Sequence, residues 1–135
     1  MTHVSTRLRE QARERAGQRC EYCRQPEGYG ARGHQIDHII PQKHGGKTQT
    51  DNLAWSCFQC NIMKGSEVAA YDHETDMLTP FFNPRTQQWD EHFEIDGAKI
   101  VGKTPVGRVT ARLLQMNHPE RVEARRMLIE AGIWA

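Results

Sequence analysis

The sequence predicts an α+β domain: a strand, loop, strand and helix stapled by a metal, with a helix in front and a hairpin followed by helices behind. Three observations predict it. All four cysteines fall in two Cys-x-x-Cys pairs, Cys20/Cys23 and Cys57/Cys60, and four thiolates make a complete tetrahedral shell for a structural zinc. The chain between and after the pairs reads as two short extended runs and one short helix. The back half carries a strong hairpin signal at Asp96-Gly97 and a Thr-Pro helix start at 104–105.

The elements follow in order. Ser5 to Ala16 reads as a helix: Ser5 or Thr6 can cap it, Leu8, Ala12 and Ala16 recur at helical spacing, and Gly17 stops it. Arg7, Arg9, Arg13 and Arg15 crowd its other faces. They fit either a salt-laced exposed helix with Glu10 and Glu14 or a helix resting on a phosphate backbone. The first cysteine pair follows, then a turn-rich loop over 25–33. Gln35 to Ile39 reads as a short strand ended by Pro41, and Gly45-Gly46 marks a tight turn. Leu53-Ala54-Trp55 is a second extended segment, and a helix runs from about Phe58 to Lys64 before Gly65.

Behind these, residues 71–90 are rich in Asp, Thr, Pro and Asn and read as an ordered but irregular excursion. The aromatics of Pro80-Phe81-Phe82 are expected to pack onto the front half. His92–Ile95 and Lys99–Val101 flank the hairpin turn. Thr104 caps a helix with Pro105 in its first turn, turning Val109, Leu113 and Leu114 inward. A last helix starts near Pro119, with Val122, Met127 and Leu128 as its apolar face, and ends near Gly132.

A length of 135 residues with 37% hydrophobic content suits one domain with a modest core, expected to span 1–135 with its motif at about 20–65 and an extension at about 66–135. Metal is a common supplement to a core of this size. No apolar run approaches a membrane span, and the start of the chain has no apolar signal core. The expectation is therefore a cytoplasmic protein with no membrane partner, and zinc rather than two disulfides on the four cysteines. Net charge is only +1, but it is uneven: residues 1–64 carry +4 and residues 65–135 carry −3. A basic front half fits phosphate contact or an ordinary solvated surface equally well.

A closed four-sulfur shell has no open position, so the chemistry must come from what it holds in place. Hydrolysis of a phosphodiester needs a base for water and positive charge for the phosphoryl oxygens. His38 is the candidate base, since histidine ordinarily titrates near neutral pH. Asp37 and Asn61 offer a carboxylate and an amide oxygen suited to Mg²⁺, Mn²⁺ or another divalent ion. Asn61 lies one residue past Cys60, so the zinc fixes it. Lys64, three residues on along the same helical face, could reach a phosphate. Asn52 could lock the loop so that a backbone carbonyl orients the imidazole.

Asp37-His38-Ile39-Ile40-Pro41, Gly45-Gly46, Asn52-Leu53, Cys57-x-x-Cys60-Asn61 and Lys64 together closely resemble the HNH nucleases, in their ββα-metal (His-Me finger) form with a four-cysteine zinc site. The resemblance covers about residues 20–65. It implies that His38 is the general base, that Asn52 braces the loop, and that Asp37 and Asn61 are ligands of a single catalytic ion. It also implies double-stranded DNA as the partner, met in the minor groove, and 5′-phosphate and 3′-hydroxyl product ends. No small-molecule cofactor is expected. The rival reading is a zinc-stabilised nucleic-acid-binding module without cleavage, against which the presence of His38 weighs.

Overall fold

A computed structural model describes residues 4–134; the reading of the chain's start falls partly on residues 1–3, outside that range. Helix α1 spans Thr6–Arg15, capped by the Ser5 hydroxyl accepting from the Leu8 amide. Three of its four arginines are spent inside the molecule. The Arg13 Nε donates to Glu27 at 3.0 Å, Arg15 donates to the carbonyls of Thr50 and Leu53, and Arg9 stacks over Trp55. Arg7 alone of the four stays exposed without such a contact among the described residues. Most of the helix's charge therefore pins it to the front half, which removes much of the case for a phosphate-binding face.

Strands β1 (Gln35–His38) and β2 (Leu53–Ser56) pair antiparallel, with Asp37 opposite Ala54 and His38 opposite Leu53. Helix α2 (Phe58–Lys64) follows directly. Its N-cap is Cys57, whose Sγ accepts from the Cys60 amide, and Gly65 ends it. Hairpin, loop and helix together make the mixed α+β, ββα-type unit that the sequence predicts.

The back half departs from expectation in two places. Residues 71–90 are not irregular throughout. Strands β3 (Ala69–Asp72) and β4 (Met77–Pro80) form a hairpin, and a one-turn helix α3 covers Trp89–His92. The hairpin escapes a sequence reading because its strands lack β-branched alternation and its four-residue turn carries no Asn-Gly signal; Asp76 takes the left-handed conformation there, at φ 56°. The Arg108 guanidinium, donating to both Asp72 carboxylate oxygens, ties this hairpin to the next helix and holds that carboxyl well below its ordinary range. Strands β5 (Phe93–Asp96) and β6 (Lys99–Gly102) form the expected second hairpin. Helix α4 (Pro105–Leu113) is capped by Thr104 and packs so closely on the preceding chain that a Cβ on Gly107 would lie 1.9 Å from the His92 carbonyl oxygen.

The second departure is helix α5, Pro119–Glu130. Met127, expected inside, is 61% exposed, while Arg125 is the helix's buried residue. Its inner face is set by polar contacts rather than by an apolar stripe. One buried cluster joins both halves: Tyr22, Ile39, Ala54 and the four cysteines from the front meet Phe81, Phe82, Trp89, Phe93, Ile100, Val109, Leu114 and Met116 from the back. Phe81 and Phe82 thus take the packing role expected of them. No described helix is long and apolar enough to cross a membrane.

Candidate active site and zinc centre

The four cysteines are free, buried, and have all their sulfurs within 4.8 Å of one another. The disulfide reading therefore fails. The Cys23 and Cys57 sulfurs lie 3.7 Å apart, close to the sulfur–sulfur edge of about 3.8 Å that four zinc–sulfur bonds of ~2.3 Å impose on a tetrahedron. Local backbone already serves the cluster: the amides of Tyr22 and Cys23 approach the Cys20 sulfur, and the Cys60 amide approaches that of Cys57, each at 3.4 Å. Burial pushes the Cys20 and Cys60 thiols well up. Thiolates in such a place need a cation, and zinc fits the donor set, the spacing and the enclosure.

Zinc on Cys57 and Cys60 would fix the start of α2, and α2 lies against β1. Gln35 and Asp37, two residues apart on one strand face, meet it: the Asn61 Nδ2 donates to Gln35 Oε1 at 2.8 Å, and the Lys64 Nζ lies 3.1 Å from Asp37 Oδ2. Asn61 keeps its Oδ1 as an acceptor. His38 closes the strand, half-buried, with its Nε2 2.8 Å from the Thr48 hydroxyl.

Asn52 braces the loop between the strands. Its Nδ2 donates to the carbonyls of Ile40 and Lys47, and its Oδ1 accepts from the Ile40 amide. Gly46 sits against the same carbonyl, where a Cβ would come within 1.6 Å of the Ile40 oxygen and 2.9 Å of the Asn52 amide nitrogen. Only glycine allows that approach. The brace is thus present, but the imidazole's partner is a hydroxyl, Thr48, and not the backbone carbonyl expected. Thr48 is the residue that sequence reasoning missed. A threonine two residues after Gly45-Gly46 looks like any loop residue until the loop folds back on β1.

Lys64 requires a larger correction. It is 2% exposed and donates to Asp37 and to the carbonyls of His38 and Ile39, so it is not on a surface where a phosphate would meet it. Helical spacing from Asn61 put it on the correct face, but that face points into the protein. Asp37 is likewise 4% exposed, and its Oδ2 also accepts from the Tyr22 hydroxyl at 2.6 Å. Burial pushes the Asp37 carboxyl up, while Lys64 and Tyr22 pull it back. Removing either member of the pair would strand a buried charge, at a cost of about 3–5 kcal/mol. His34 and His44 make structural bonds, to the Gln25 and Ser66 carbonyls.

Two clefts among the described residues lie elsewhere. One of about 480 Å³ runs between the 25–34 loop, α2 and α5, and the other lies beside β6 and α4; neither includes Asp37, His38 or Asn61.

Residues 20–67 match the family model described as HNH endonuclease. No curated protein and no solved structure matches the chain. The matched residues run from the first cysteine of the cluster, through the braced loop, to just past the end of α2. With their buried four-cysteine cluster, residues 20–67 are similar to an HNH endonuclease domain of the kind that binds zinc through four cysteines.

Proposed function

We propose that this protein is a metal-dependent endonuclease that hydrolyses phosphodiester bonds of double-stranded DNA, with His38 as the general base. The observation that carries the reading is a zinc-anchored helix start placing Asn61 against the strand that carries Asp37 and ends in His38, beside a loop locked by Asn52. The clefts' distance from these residues is no obstacle, since a duplex is met by a surface rather than swallowed by a pocket.

His38 supplies the proton acceptor. In the tautomer that donates Nε2–H to the Thr48 hydroxyl, the Nδ1 lone pair is left for the attacking water. The imidazole takes one proton from the water, the hydroxide oxygen bonds to phosphorus, the P–O3′ bond breaks, and the leaving 3′-oxyanion takes a proton from solvent water, giving a 5′-phosphate and a 3′-hydroxyl. Asn52 keeps the loop, and Thr48 on it, in register with β1. Asp37 and Asn61 would hold the divalent ion, Mg²⁺ or Mn²⁺, which supplies positive charge to the phosphoryl and leaving oxygens. A carboxylate and an amide oxygen are donors of the type such an ion takes, and in this structure both Asp37 oxygens are engaged by Lys64 and Tyr22. The Lys64 ammonium neutralises Asp37, so an ion there would compete with the lysine for one carboxylate. Backbone phosphates would dominate affinity, which makes it steeply salt-dependent.

Supercoiled plasmid incubated with the protein and Mg²⁺ or Mn²⁺ tests this. Nicked circles that DNA ligase reseals are expected, because only 5′-phosphate and 3′-hydroxyl ends are substrates for resealing. A plasmid left intact under both ions, at a protein concentration that retards it on a gel, would favour the binding module instead.

A further inference from the structure

Four thiolates around one Zn²⁺ carry a net charge of −2, and here they do so in the interior. A buried charge of that size is costly unless it is paired. Backbone amides serve the Cys20 and Cys57 sulfurs. The Cys60 sulfur has a different partner: the Arg121 Nη2, at 3.1 Å, which also lies 3.7 Å from the Cys57 sulfur. It is the shortest polar contact made to any of the four sulfurs among the described residues.

We propose that Arg121 is the counter-charge of the zinc tetrathiolate, supplied by helix α5 to a metal shell whose four ligands all lie within residues 20–67. The rest of the guanidinium shows how the position is held. Its Nη1 donates to the Leu114 and Gln115 carbonyls at 2.7 and 3.1 Å, at the C-terminus of α4, where helix carbonyls lack internal partners. One turn on, Arg125 is buried and donates to the carbonyls of Ala98 and Met116 at 2.7 and 2.8 Å. The two arginines, four residues apart on one helix face, replace the apolar stripe that α5 does not have. A planar fork can bridge sulfur and carbonyls together, whereas an ammonium would serve them less well. The cleft between the 25–34 loop, α2 and α5 reaches Cys57 and is flanked by Arg121. The guanidinium therefore also stands where a chelator or an electrophile would approach the sulfurs.

Arg121 is a positioning residue for the metal, and the inference stands or falls independently of nuclease activity. The test uses the full zinc-loaded chain and three variants, Arg121→Ala, Arg121→Gln and Arg121→Lys. Arg126→Ala on the exposed side of α5 is the control. Two rates are read: zinc transfer to a colorimetric chelator, and cysteine modification by N-ethylmaleimide. Both should rise on the order of 10–100-fold in the Ala and Gln variants, the range typical for loss of a partner to a metal ligand. Arg121→Lys should fall between them and wild type, and Arg126→Ala should match wild type. Gln is the deciding variant should Ala not fold, because it keeps a donor for the carbonyls but not the charge. Wild-type zinc transfer and thiol modification in a folded Gln variant would overturn the proposal.

Discussion

Replacing His38 with alanine should leave a folded protein that still holds one zinc but cuts plasmid on the order of 10²–10⁴-fold more slowly, the usual contribution of a positioned general base. The imidazole touches none of the zinc cysteines. Its one described hydrogen bond is with Thr48, and the loop keeps its Asn52 brace to Ile40 and Lys47 without it. Circular dichroism, zinc content and initial nicking rate on one preparation check all three parts. Cutting at the wild-type rate would remove His38 from the reaction.

Cys57→Ser should do the opposite, taking away the fold and with it everything downstream. Cys57 is both a member of the four-cysteine cluster that would hold zinc and the N-cap of α2. Serine is a good N-cap, so the variant can keep the cap and lose the metal. Zinc on four thiolates contributes apparent binding free energies of about 10–16 kcal/mol in small domains, against total stabilities of about 5–15 kcal/mol. Losing one ligand therefore places the whole fold at risk. Loss of stoichiometric zinc and of a cooperative thermal transition is expected, together with loss of cleavage, because Asn61 is held by the turn of helix that the zinc starts. A zinc assay giving one ion per chain would contradict this.

What could be read from the sequence was whatever is encoded by spacing along the chain. The two cysteine pairs, α2 between Cys57 and Gly65, the β1–β2 unit, the Thr104-Pro105 helix start and the Gly97 hairpin each carry a local signal of turn, cap or ligand geometry. What could not be read depends on which way a face turns after packing. Lys64 has the spacing of a phosphate-binding residue and the burial of an ion pair with Asp37. Arg121 and Arg125 look like surface charges on a helix with a weak apolar stripe, yet they face inward because sulfurs and carbonyls await them. Thr48 becomes the partner of His38 only through loop closure around Gly46. In each case the sequence contains the polar group and omits its partner, which a distant segment supplies.

The central claim is a division of labour: a sulfur-bound ion builds the scaffold, and a separate ion on oxygen ligands serves the reaction beside His38. The most direct measurement is the nicking rate of protein carrying one zinc per chain, with free metal removed, before and after adding Mg²⁺ or Mn²⁺. A folded and inactive protein that begins to cut on addition, with its zinc content unchanged, is the expected result. Cutting at full rate with the structural zinc alone would contradict it.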